Sequence, residues 1–144
     1  MDRRWIAGGA AAVAAVAAYF YWQANAPPGA EIDTQALAAL LSDTAREVRS
    51  RAPIMVDAER RLMGADAADG RLVYHYVLVT VNKADVDSRK FIALKKSEIV
   101  SAECGRAEVR YLLNQGATLA YIYDDKLGER IANIGLARND CPAQ

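Results

Sequence analysis

The chain has 144 residues, with 18 Lys and Arg against 18 Asp and Glu, so its formal net charge is zero. That balance leaves no basic face or stripe for nucleic acid and no like-charged run of the kind that stays unfolded. With 2 cysteines and 1 histidine in the whole chain there is no donor set for a zinc centre, and neither a metal nor a cofactor is expected.

Met1-Asp2-Arg3-Arg4 precedes an uncharged apolar run from Trp5 to Trp22. About 18 residues is the short end of what spans a bilayer. The basic residues lie before the run and none follows closely, so residues 1–4 read as a cytoplasmic n-region and 5–22 as a transmembrane signal anchor. Tyr19-Phe20-Tyr21-Trp22 suits the outer interface. The middle of the run is Ala, Gly and Val, and Gly8, Gly9 and Ala12 offer a small-residue face on which another membrane helix can dock. The alternative is a signal peptide cleaved after Ala26, at Ala24-Asn25-Ala26. Pro27, just past that bond, argues against cleavage. Pro27-Pro28-Gly29 cannot continue a helix, which makes 23–31 a linker. Residues 32–144 then form one periplasmic domain, enough chain for a single core.

In the body, Asp33 or Thr34 caps a helix running to about Arg51, with Leu37, Leu40, Leu41, Ala45 and Val48 on one stripe. Pro53 stops it. A strand of uncertain limits lies between Ile54 and Ala67. Asp69-Gly70 is a hairpin turn, and the clearest strand follows from Arg71 to Asn82. Asp85 or Asp87 caps a second helical region, continued by a piece from Arg106 to Gln115 that exits at Gly116. Two more strands, 117–124 and 129–137, flank a turn at Asp125-Lys126-Leu127-Gly128. The order is helix, two strands, helical layer, two strands. It predicts an α+β domain: a roughly four-stranded antiparallel sheet covered by helices on one face.

Alternation along the clear strand puts Val73, His75, Val77, Val79 and Val81 on one face and Leu72, Tyr74, Tyr76, Leu78 and Thr80 on the other. The aliphatic face is expected beneath the helices, which makes His75 a structural residue. No Ser or Cys motif accompanies it as a nucleophile. Asp124-Asp125 and Glu129-Arg130 flank a turn of ordinary composition. No phosphate loop, nucleophile elbow or zinc-protease helix is present. No catalytic residue is assigned, and no enzyme is expected.

Two features point to binding and export. Tyr74 and Tyr76 share a face of their strand, and Tyr121 and Tyr123 share a face of theirs. If the strands are neighbours, these four form one aromatic patch, either a candidate interaction surface or core beneath a helix. In a translocated chain, Cys104 and Cys141 read as a disulfide that pins the chain's end to the helical layer.

Cys104, Tyr111-Leu112-Leu113-Asn114-Gln115-Gly116, Tyr121-Ile122-Tyr123-Asp124, Gly128, Ile131, Ile134 and Asp140-Cys141 form a pattern over about a third of the chain. It resembles small exported proteobacterial proteins described as quorum-sensing-regulated virulence factors. The resemblance implies export, a compact α+β domain and paired cysteines, and carries over no catalytic residue. The expectation is a non-catalytic periplasmic binding or accessory domain, a subunit of an inner-membrane complex held single-pass by residues 5–22. Its partner is a protein in or at the inner membrane, with no nucleic acid and no small-molecule substrate. The alternative is a secreted effector or inhibitor released after Ala26.

Overall fold

The computed structural model describes residues 33–143. Asp33 opens the body: its carboxylate accepts the Ala36 N–H at 2.7 Å and starts helix α1, Thr34–Arg51. Leu37, Leu40, Leu41, Ala45 and Val48 are its buried stripe, while Arg49 and Arg51 sit in the last turn, where the helix dipole favours cations. The segment expected as one strand is two. β1 is Ile54–Met55 and β2 is Arg60–Ala68. Between them the Asp57 carboxylate accepts the Glu59 and Arg60 N–H groups at 2.9 and 2.8 Å and turns the chain.

Asp69 and Gly70, with φ of 53° and 74°, make the tight turn into β3, Arg71–Leu78. Asp87 caps α2, Ser88–Glu103, by accepting the Arg89 and Lys90 N–H groups. Helix α3, Ala107–Asn114, ends at Gly116, whose φ of 92° suits a residue without Cβ. β4, Thr118–Asp124, and β5, Arg130–Leu136, complete the sheet.

The sheet has five strands in the order β1-β2-β3-β4-β5. It is mixed: β3 and β4 run parallel and the other pairs antiparallel. The expected four-stranded antiparallel sheet is therefore corrected. The chain from Val79 to Ala117 carries α2 and α3 across one face, and such a crossover returns the next strand parallel to the last.

The helices do cover one face, but it is the tyrosine face. Leu72 pairs with Leu119, Tyr74 with Tyr121 and Tyr76 with Tyr123, so these side chains point the same way. Leu72, Leu119, Tyr121, Tyr123, Ile134 and Leu136 join the α1 leucines, Ile99 of α2 and Leu112 and Leu113 of α3 in one core. On the opposite face, Ala120 and Ile122 lie outside that core, and Val73 and Val77 do not pack against it. The expectation that His75's face lies beneath the helices is overturned. That face also carries Asp66, paired with Val73, and Asn133, in register with His75 through Ile122, and a helix there would take this polar set out of water.

The Cys104–Cys141 disulfide is formed, with a Cα–Cα distance of 5.5 Å. It ties the C-cap of α2 to the chain just after β5. Each long free edge of the sheet also meets a helix cation. Arg49 of α1 donates to the Ala65 carbonyl on β2 at 2.8 Å, and Lys96 of α2 donates to the Gly135 carbonyl on β5. Among the described residues no helix is long and apolar enough to cross a membrane. The anchor expected over 5–22, its Gly8, Gly9 and Ala12 face, the n-region and the whole linker lie outside the described residues.

A tyrosine-floored groove

Parallel pairing of β3 and β4 brings four tyrosines together. Tyr74 stacks on Tyr121 with ring centroids 5.6 Å apart, and Tyr76 on Tyr123 at 5.3 Å. Phe91 of α2 meets Tyr123 edge-on at 5.3 Å. The cluster expected from the sequence exists, but as a floor rather than an open patch. Tyr121 is 6% exposed and Tyr123 1%, while Tyr74 and Tyr76 are half-buried.

Above the floor is a cavity of about 260 Å³. Tyr76, Tyr121 and Tyr123 form its base, Val56 and Arg60 one wall, and Lys95, Glu98, Ile99, Ala102 and Glu103 of α2 the other. Local sequence explains both walls. The Asp57 turn sets Arg60 in place: Arg60 Nε donates to Asp57 Oδ2 at 2.7 Å and its guanidinium lies 5.8 Å from the Tyr76 ring centroid. Helix α2 is weakly amphipathic. Of its 16 residues only Ile99 is buried, so one side of the helix is left to border a groove.

The groove's titratable groups are shaped by burial. Burial pushes the Tyr74 phenol up to about 12, and raises Tyr76 and Tyr121 further. The phenols are therefore neutral across the physiological range. Burial also raises Glu103, against the opposing pull of Arg106, whose Nη1 is 3.3 Å from the Glu103 carboxylate.

Other residues considered from the sequence lie elsewhere. His75 is on the far face with Nε2 2.9 Å from Asp66 Oδ2, and no nucleophile adjoins it. Asp125 is 1% exposed and structural: it accepts N–H groups from Lys83, Leu127 and Glu129, each at 2.8 Å, and so ties the β4–β5 turn to the β3–α2 connection. Asp124 pairs with Arg130. Among the described residues no group of three His, Cys, Asp or Glu side chains converges on a metal-sized site. A larger, more open depression of about 760 Å³ lies beside the disulfide. Its Arg110 already donates to the Cys104 and Pro142 carbonyls, so that depression offers a ligand less. Sequence reasoning missed the groove walls Val56, Arg60, Ala102 and Glu103. The available signal was the poor apolar stripe of α2, with Ile92 40% and Leu94 59% exposed.

No protein-family model and no curated protein matches the chain. Solved structures share the fold. A Pseudomonas aeruginosa protein described as secreted superposes with a TM-score of 0.66 at 20% identity, over 79% of this chain and 100% of its own. The pilotin EpsS of the Vibrio vulnificus type 2 secretion system gives 0.62 at 19% identity, over 76% of this chain and 96% of that one. The type II secretion pilotin AspS of Vibrio cholerae gives 0.58 at 17%, over 74% and 94%. At these identities the likeness establishes the architecture.

Proposed function

We propose that this chain is an exported, non-catalytic accessory protein that holds a segment of a protein partner in the groove over Tyr76, Tyr121 and Tyr123. The observation that carries the reading is the groove itself. An aromatic floor with a charged rim is the composition of a protein-binding hot spot. Its volume fits one or two side chains, so the occupant is a short segment. The Cys104–Cys141 bond supports an oxidising compartment. The fold shared with two secretion-system pilotins supports a partner that belongs to a secretion assembly. Release after Ala26 agrees with the secreted structural neighbour better than an inner-membrane anchor over 5–22 does.

The test is a photo-reactive side chain introduced at Val56, on the groove wall, in the full chain in cells. Ultraviolet illumination is expected to yield one dominant protein adduct. Ala102 is exposed at the rim, and Ala102→Trp fills the groove without entering the core. Loss of the adduct in Ala102→Trp supports the reading, and an unchanged adduct refutes it.

A further inference from the structure

One end of the groove is polar in a way that packing does not require. Tyr121 lines the cavity and is 6% exposed, yet its hydroxyl makes no hydrogen bond to any described residue. The hydroxyl opens onto the cavity rather than into the packed core, so it can accept a hydrogen bond from a ligand. Glu103, the last residue of α2, lines the same cavity. Its counter-ion is shared. Arg106 Nη1 is 3.3 Å from Glu103, while Arg106 Nη2 and Nε donate to Glu108 at 3.1 and 3.2 Å. Two carboxylates facing one guanidinium leave a negative charge uncompensated. The remaining charges of the lining are matched: Arg60 by Asp57 at 2.7 Å and Lys95 by Glu98 at 2.8 Å.

We propose that this end of the groove is a subsite for a basic side chain, arginine in the first place, projecting from the bound segment. It rests on the groove being the partner site. A guanidinium there donates to the Glu103 carboxylate and to the Tyr121 phenol oxygen, and packs on the tyrosine rings as Arg60 already packs on Tyr76. It supplies a positive charge beside Glu103 and a donor to the Tyr121 phenol oxygen together. A leucine in the same place leaves Tyr121 and Glu103 as they are.

The test is an amide-shift titration of the full-length, oxidised, ¹⁵N-labelled chain with N-acetyl-arginine amide. N-acetyl-citrulline amide is the neutral isostere and N-acetyl-leucine amide the apolar control. Arginine amide is expected to shift residues 98–103 and 121–123, with citrulline amide about tenfold weaker. Tyr121→Phe and Glu103→Gln keep the shape of the side chains, and each is expected to weaken the arginine probe about fivefold while the rest of the spectrum stays in place. Citrulline or leucine amide binding as well as arginine amide overturns the subsite and leaves the groove reading standing. Absence of any arginine-dependent shift in the groove also overturns it, and the Val56 adduct then judges the groove reading separately.

Discussion

Reducing the Cys104–Cys141 bond is expected to lower stability by an amount that follows from chain length. The cysteines are 37 residues apart. In the chain-entropy description, a crosslink closing a loop of that size removes about 4 kcal/mol of freedom from the unfolded chain. A body of about 110 residues unfolds with an entropy near 230 cal/mol/K, so the melting temperature is expected to fall by about 17 °C. Other bonds still hold the same tail after reduction: Lys96 pairs with Asp140 at 3.0 Å and Arg110 donates to the Pro142 carbonyl at 3.1 Å. Reduction by a phosphine is a cleaner perturbation than mutation, since Cys104 is 3% exposed and its sulfur remains to fill the core. Calorimetry of the oxidised and reduced forms at one pH reads the shift directly. A fall of under about 4 °C refutes the loop-entropy account.

Asp125→Asn loses the N–H bond from Lys83 that the second carboxylate oxygen accepts, and is expected to lower the melting temperature by several degrees. Backbone N–H donors, that of Lys83 first, hold the Asp125 carboxyl below its usual range. Its contribution is therefore present above the unfolded value of about 3.9 and lost as pH falls through the lower folded value, and in acid titrations the Asn variant shows a flatter limb. At high pH the sign reverses. Tyr74, Tyr76 and Tyr121 have raised pKa values because they are buried, so stability falls as pH climbs above about 10, and absorbance titration at 295 nm shows their ionisation only with unfolding. Gly116→Ala adds a Cβ into open space at φ +92°, so the cost is backbone strain alone, about 1–2 kcal/mol, read as a lower denaturant midpoint at unchanged slope.

The elements were legible where the code is local. Asp33, Asp87, Asp69-Gly70 and Gly116 each act on the backbone within a few residues, and the structure uses all of them, taking Asp33 over Thr34 and Asp87 over Asp85 as caps. Arrangement was less legible because it depends on distant segments. Whether β3 and β4 run parallel is set by the crossover between them, and composition says little about that. The choice of face was ambiguous in β3 because both alternating sets are apolar. The deciding residues, Asp66 and Asn133, lie on other strands. The tyrosines were found from β3 and β4 alone. The groove above them also needs Arg60, placed by an Asp57 turn hidden in what read as one strand, and a helix whose apolar residues are left partly in solvent.

The two cations at the sheet margins constrain how any partner is recognised. Many exported proteins are captured by adding a strand to an open sheet, a mode that gains affinity from main-chain atoms shared by every polypeptide. Here Arg49 occupies the Ala65 carbonyl and Lys96 the Gly135 carbonyl, so each margin begins with an acceptor already taken and a bulky charge in the way. Both contacts work against strand addition at those positions, by a partner or by a second copy of the chain. Under the proposed function, selection would then fall to the side chains that the incoming segment presents to the tyrosines. If the groove is the partner site, such an arrangement would favour one segment sequence over another rather than any extended polypeptide.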